Sequence, residues 1–377
     1  MGRKYGKKNV IKIDPLAYNL GLIGISGVGK TTLAKKVCEN LVGEDGYMIA
    51  NVGREDGIDA IAGAIYEDIP DWETFEEFCD DIIENKTTDY KDLKVIVWDT
   101  IDELIKIAEP ESIRLYNKEQ LSKTKSKMAK TIKQAWGGYG EGEKYTIELI
   151  MNKMWELKRV GVAMFLIGHT KTRTMNDPMT GLEYDILTTN MQHNYFNALK
   201  TKLHVLGVAY IDRAITIEKT GKKDFDGKEK IKGQVTNEAR KIAFRDDNFS
   251  IDSKSRFSDI IDTIPFDAGE FIKAIEAAIK IEHEKQDDKK SIEETKKEQK
   301  KEKEKQDNDN AIKKKVELEK KKLEEICEKL TNFIKANKSN PELVKPLVAK
   351  SKEFGFVNPA NAETLEQAEE LLALIEE

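Results

Sequence analysis

Residues 24–31 read Gly24-Ile25-Ser26-Gly27-Val28-Gly29-Lys30-Thr31. This is G-x-x-x-x-G-K-[ST] in full, and its surroundings agree with it. An apolar run at 19–23 precedes it, and an amphipathic stretch carrying Leu33, Ala34, Val37, Cys38 and Leu41 follows. Strand, glycine-rich turn and helix in that order make an anion cradle. Glycines let successive backbone N–H groups converge on phosphate oxygens, and the helix N-terminus adds the positive end of its dipole. Gly24, Ser26, Gly27, Val28, Gly29, Lys30, Thr31 and Thr32 are the expected contacts of a nucleotide's phosphates. Lys30 is expected at the β- and γ-phosphates, with the Thr31 hydroxyl holding Mg2+.

The next strand-like run, Lys94-Val95-Ile96-Val97-Trp98-Asp99-Thr100, ends in a carboxylate. An apolar strand that delivers an acid beside a phosphate loop suits a second Mg2+ contact, so Asp99 joins Thr31 as a candidate metal residue. Hydrolysis also needs a group that orients water. Glu55 follows the run at 47–52, which places it at the carboxyl edge of the sheet where open α/β folds bind ligands. Asp56 and Glu103 are its rivals. His169 ends the run at 162–167 at the same edge, where it could sense a terminal phosphate.

Outward from these motifs, β-branched runs alternate with amphipathic helices, the pattern of an α/β domain with a mostly parallel sheet. Core strands are expected at 19–23, 47–52, 94–98, 162–167 and 204–210. Two more β-like runs, 214–219 and 241–245, flank a polar stretch and could form a hairpin. Ile147, Ile150, Met151, Met154 and Trp155 recur at helical spacing, as do Phe75, Phe78, Cys79 and Ile82. Both sets read as buried faces.

The chain has 377 residues and a net charge of −6, so a uniformly basic nucleic-acid coat is excluded. Residues 281–325 carry 15 Lys and 15 Asp plus Glu, summing to zero. With few apolar positions and no heptad seam, that segment reads as a solvated helix or a disordered linker. Helical spacing returns at Leu323, Ile326, Cys327, Leu330 and Ile334, then after Pro341, then from Leu365. The expected organisation is a domain over 1–280, a charged linker over 281–322 and a small helical module over 323–377. The 15 residues at 363–377 hold six Glu and no basic residue, which points that module toward a protein partner rather than DNA.

Three scattered cysteines suggest a reducing compartment, and the four histidines lack metal-ligand spacing. No apolar run approaches the ~18 residues of a membrane span. A signal-peptide core is not evident before Gly24, and Gly6 stands where a myristoylation site wants Ser or Thr. A cytoplasmic protein without a membrane partner is expected.

With these pieces in order, the chain resembles the RecA-like P-loop ATPases. More narrowly, it is similar to the phage-encoded RecA-like single-strand annealing and recombination ATPases. The residues that carry the resemblance are the loop at 24–31, the Asp99 strand and Gly168-His169-Thr170-Lys171. Phe244-Arg245-Asp246-Asp247 and Ser253-Lys254-Ser255-Arg256-Phe257 complete it, over 18 to about 280. The resemblance implies a core of five parallel strands, ATP with Mg2+, assembly into rings or filaments, and single-stranded DNA as partner. It supports Glu55 as the catalytic acid. DNA-binding loops are implied after the third and fourth strands. The first match, 123–145, carries Lys123, Lys125, Lys127, Lys130, Lys133, Trp136 and Tyr139, cations and rings suited to phosphates and bases. The second, 171–181, reads as a mobile loop with Lys171 and Arg173. Sites in such assemblies often take cations from a neighbouring protomer, and Lys254 with Arg256 are the candidates, a surface pairing with Asp246, Asp247 or Asp259 being the alternative.

These expectations favour an ATP-hydrolysing protein that binds and anneals single-stranded DNA in a bacterial host's cytoplasm. A single-strand-binding protein is a candidate partner of the C-terminal module. Two rivals stay open: a P-loop kinase of a small molecule, and a nucleotide-dependent scaffold of replication proteins.

Overall fold

The computed structural model describes residues 9–53, 56–121, 127–177, 179–223, 229–245, 251–286, 291–338 and 340–376. The chain divides into two compact units, Met1–Cys79 with Asp92–Lys305, and Asp80–Lys91 with Gln306–Glu377. The first is an α/β unit around one sheet. Its elements run β1 (Leu20–Gly24), α1 (Lys30–Val42), β2 (Tyr47–Val52), β3 (Tyr66–Ile69), α2 (Trp72–Glu84), β4 (Val95–Asp99) and α3 (Ile101–Leu121). They continue with α4 (Glu141–Arg159), β5 (Ala163–Asn176), β6 (Glu183–Thr189), α5 (His193–Lys200), β7 (Val205–Lys223), β8 (Glu229–Ala243), β9 (Lys254–Ser255), β10 (Thr263–Pro265) and α6 (Ala268–Glu284).

The strand order is β10-β8-β7-β1-β5-β4-β2-β3, with β6 paired to β5 and β9 to β7. From β7 to β3 every neighbouring pair is parallel, so the core has six parallel strands rather than the five implied by the resemblance. The additional one, β3, is a short edge strand. Every residue of β1 and β4 is buried. That is the signature of strands covered by helices on both faces, and it explains why their sequences are continuous apolar runs. Leu20, Leu22, Val97 and Phe165 pack with Val37 of α1 and Phe271 of α6 in one cluster. Each fully buried side chain of this size contributes about 1.5–3 kcal/mol. On α4, Ile147, Ile150, Met151 and Met154 are buried as their spacing requires, and Trp155 at the margin is covered by the Lys202 ammonium, 5.3 Å from its ring centre.

Two strands run well past their expected ends. β5 continues from the core to Asn176 and pairs antiparallel with β6, from Thr170 opposite Thr189 to Asn176 opposite Glu183. The segment expected to be a mobile loop is therefore the outer part of a hairpin. Likewise β7 continues to Lys223 against β8. The runs at 214–219 and 241–245 do face each other's strands, as parts of one longer hairpin.

The second unit comprises the end of α7 (Ile292–Ala336), α8 (Pro341–Glu353) and α9 (Leu365–Glu376). They close over Ile326, Leu330, Leu347, Ala368 and Leu371. A Lys322–Glu84 ion pair of 2.6 Å joins the segment at 80–91 to α7. The charged stretch is helical from residue 292, laced with ion pairs such as Lys321–Glu325 at 3.6 Å. The linker expected over 281–322 is thus divided. Its first turns belong to the α/β unit, because Gln299 bonds the backbone of Ile11 and Ile13, and Lys303 pairs with Asp14 at 3.0 Å. The units part at Lys305, within α7. Among the described residues, no helix is long and apolar enough to cross a membrane.

Candidate nucleotide-binding site

Residues 24–31 join the end of β1 to the start of α1. Gly27 and Gly29 take φ of 75° and 101°, the left-handed region that a side chain disfavours. Gly29 caps α1, so the free N–H groups of the first helical turn face the loop. At Gly27 a Cβ would meet nothing within 4 Å, and Ser26 and Gly27 are exposed, leaving room for a phosphate. Gly24 is tight instead: a Cβ there would lie 2.9 Å from the backbone oxygen of Ala209 on β7. Val28 is buried and anchors the loop. Lys30, only 6% exposed, curls back over the loop, and its Nζ donates to the Ile25 carbonyl at 3.2 Å. Thr32 is exposed on the first turn of α1.

Asp99 ends β4 two strands away. The Thr31 hydroxyl donates to its Oδ2 at 2.5 Å. Burial raises the Asp99 pKa above the usual carboxylate range, against the opposing effects of Thr31, Lys30 and His169. A buried carboxylate held up in this way gains most from a nearby cation. One hydroxyl and one carboxylate at a phosphate loop fit Mg2+, which keeps several waters and needs few protein ligands. Thr31 and Asp99 are the residues that would hold it.

His169 stands opposite Gly24 in the β1–β5 register, at the sheet edge where the loop lies. Its backbone N–H donates to Asp102 Oδ2 at 2.7 Å, and its Nδ1 is 3.4 Å from the same oxygen. Asp102 sits in the first turn of α3, 9% exposed, and its Oδ1 has no hydrogen-bond partner among the described residues. Gly168 makes this approach possible, since a Cβ there would lie 3.2 Å from Asp102 Oδ2. Of the candidate acids, Glu55 lies outside the described residues, and Asp56 opens a short 3-10 turn over Asp56–Ala60. Glu103 lies against Gly53 at the end of β2 and is ion-paired with Lys106.

Arg240 was not singled out by the sequence. It projects from β8, and its guanidinium donates to the Val28 carbonyl of the loop at 3.2 Å. No local pattern marks it, because its approach depends on β8 pairing along β7. Asp102 had a weak signal, an acid three residues after Asp99 at a helix start.

Lys254 and Arg256 have another task. Lys254 opens β9 and Arg256 follows it; the strand pairs with the first residues of β7, at the sheet edge away from the loop. Lys254 donates to the Lys200 carbonyl and Arg256 to the Thr201 carbonyl, the latter at 2.6 Å. Within the protomer they fasten the end of α5 rather than face a phosphate. Asp246 and Asp247 lie outside the described residues. Asp259 pairs with Lys285 at 2.5 Å.

Of the expected DNA contacts, Lys123 and Lys125 lie outside the described residues, and Lys127, Lys130 and Lys171 are exposed. Trp136 is half-buried. Its indole stacks on Tyr145 at 3.7 Å, and its Nε1 bonds both Ser112 oxygens at 3.2 Å. It is a packing residue of the cluster around Ala129, Ile132 and Ala135, which corrects its expected role as a base-stacking ring. Tyr139 is the fully exposed ring of that segment. Arg173, opposite Ile186 in the hairpin, donates to the Met191 carbonyl just before α5. The Asn194 side chain in α5 donates to Glu143 at 3.3 Å and lies 3.0 Å from where a Gly140 Cβ would stand. The two expected DNA segments thus meet at the start of α5. Beside them a groove of about 340 Å³ runs between α4 and α5, with Tyr139, Lys144, Asn194 and Lys202 on its walls.

A parallel sheet carrying a phosphate loop on β1 and an acid at the end of the third-next strand in sequence defines a RecA-like P-loop nucleotide-binding domain. The AAA domain family matches residues 17–240, more than half of the chain, and the chain belongs to that family. Among solved structures it is similar to the flagellar accessory protein FlaH from Methanocaldococcus jannaschii, at 9% identity and a TM-score of 0.26, over 65% of this chain and 91% of that one. No curated protein matches it.

Proposed function

We propose that this chain is an ATP- and Mg2+-dependent recombination or annealing protein of the kind phages encode, acting on single-stranded DNA. The observation that carries this reading is the meeting of two polar, exposed segments at α5, one of them continuous with the strand that bears His169. Lysines beside an exposed tyrosine and a groove suit a strand whose phosphates need cations and whose bases need a ring. On the nucleotide side, Lys30 and the loop N–H groups offset charge on the terminal phosphate. Thr31 and Asp99 hold Mg2+, which when bound neutralises the phosphate oxygens. His169 donates at the γ-phosphate, and one carboxylate among Glu55, Asp56 and Glu103 orients the attacking water. The protein works in the cytoplasm of a bacterial host, as a ring or filament of its own copies. Its C-terminal unit, acidic at its end, engages a single-strand-binding protein.

ATP turnover measured with and without single-stranded DNA tests this. Stimulation by DNA, with affinity at low salt, is the expected result. Turnover indifferent to DNA, together with no binding at low salt, removes the DNA part of the reading.

A further inference from the structure

We propose that Asp102 is the positioning residue of the terminal-phosphate sensor, acting through His169. It rests on the nucleotide-site reading above and adds a residue that no phosphate-loop or strand-end motif contains. Asp102 lies between Asp99 and His169 at the sheet edge. It is close enough to Asp99 to raise its pKa, and it holds His169 by backbone and ring at 2.7 and 3.4 Å. Gly168 is the residue that admits it, because any side chain there would press on Oδ2 at 3.2 Å.

The carboxylate is spent on one side only. Oδ2 takes the His169 N–H, whereas Oδ1 is buried without a partner among the described residues. A buried acceptor left unpaired costs about 1–3 kcal/mol, more when charged. A helix start that buries an unsatisfied carboxylate beside a phosphate loop is organised for a donor that arrives with the ligand. A water ordered by the terminal phosphate would be that donor: it bonds Oδ1 while Oδ2 fixes the His169 ring, directing Nε2 to that phosphate. Asp102 touches neither nucleotide nor metal in this arrangement. Its effect is confined to states that have a third phosphate.

The experiment compares affinities for ADP and for a non-hydrolysable ATP analogue, with ATP turnover alongside, in the full chain. Asp102→Asn is expected to leave ADP affinity within twofold of wild type, to bring analogue affinity down to that of ADP, and to slow turnover by about 10- to 100-fold. His169→Ala is expected to lose the same discrimination, and adding Asp102→Asn to it should change nothing more, because both act on one interaction. Equal loss of ADP and analogue affinity in Asp102→Asn, or additive losses in the double variant, overturns the assignment in favour of a structural role. Unaltered discrimination in either single variant does so as well. If Asp102→Asn does not fold, His169→Gln decides, since a retained donor should keep at least part of the discrimination that His169→Ala loses; no difference between the two overturns the sensor. Failure of the site reading itself looks different: wild-type protein would then bind neither nucleotide, or Lys30→Ala would bind both normally.

Discussion

The Thr31 hydroxyl and the Asp99 carboxylate, 68 residues apart in sequence, share a 2.5 Å hydrogen bond across the mouth of the phosphate loop. The bond ties the start of α1 to the end of β4 and sets two oxygens where a hydrated cation needs them. Thr31→Ala and Asp99→Asn should each lower ATP turnover by about 100-fold or more. A magnesium titration of turnover checks the cause: both variants should need more magnesium than wild type, and Thr31→Ser should not.

Lys30 is nearly buried within the loop, yet its bond to the Ile25 carbonyl is not a packing interaction. Lys30→Ala should abolish nucleotide binding and leave the circular dichroism spectrum unchanged. Wild-type turnover in that variant removes the loop from the mechanism.

Trp136 and Tyr139 lie three residues apart and should answer oppositely. Trp136→Ala should cost about 2–4 kcal/mol of stability, because its packing on Tyr145 goes with the ring. Tyr139→Ala should leave the denaturation midpoint in place and weaken single-stranded DNA binding by about 1–3 kcal/mol. Lys127→Ala and Lys130→Ala together should flatten the salt dependence by roughly 0.7 for each phosphate they no longer neutralise. A filter-binding titration at several salt concentrations reads both effects.

Two arginines separate the near edge of the sheet from the far one. Arg240→Ala, at the loop, should reduce turnover about tenfold without unfolding the protein. Arg256→Ala should cost about 1 kcal/mol of stability and keep turnover per protomer. Mixing Arg256→Ala with Lys30→Ala protein should then give only the sum of the two rates; activity beyond that sum would return Arg256 to the site of a neighbouring copy.

His204 supplies a pH signature at the far edge. Burial, with Lys158, Arg256 and Lys254 nearby, lowers its pKa from 6.5 to about 4. Its Nδ1 accepts the Asn19 N–H at 3.0 Å, so protonation there breaks a bond. Between those pKa values the unfolded chain binds a proton that the folded chain refuses, so stability falls as pH drops from 6.5 toward 4. After allowance for solvent screening, the loss is about 1–2 kcal/mol. His204→Gln should flatten this slope in urea denaturation at pH 7 and pH 5.

The sequence exposes those parts of the fold whose signal is local. β1 and β4 read as apolar runs because helices cover both faces, and each ends in a residue of a recognisable motif, Gly24 and Asp99. β3 was missed because Tyr66, Glu67 and Asp68 are exposed and only Ile69 is buried. The β5–β6 hairpin looked like a loop because its outer residues are largely exposed, leaving no apolar face to betray the ladder. Trp136 looks available in sequence because Lys130 and Lys133 precede it, whereas its partners Ser112 and Tyr145 come from two separate helices. Arg240 reaches the loop, and Asp102 reaches His169, only through strand pairing and helix placement, which no spacing in the chain announces. The charged run at 281–325 has too little apolar pattern to show that Gln299 and Lys303 are tied to the N-terminal residues.

β5 is one uninterrupted strand from Ala163 in the core through His169 to Asn176 in the hairpin. His169 and the exposed arm therefore share a backbone with no joint between them. Linkage then works in both directions: if occupancy of the arm changes nucleotide affinity by some factor, nucleotide must change the affinity of the arm's ligand by the same factor. On the proposed role of His169 at the terminal phosphate, hydrolysis would thus act as a release signal for whatever the arm holds.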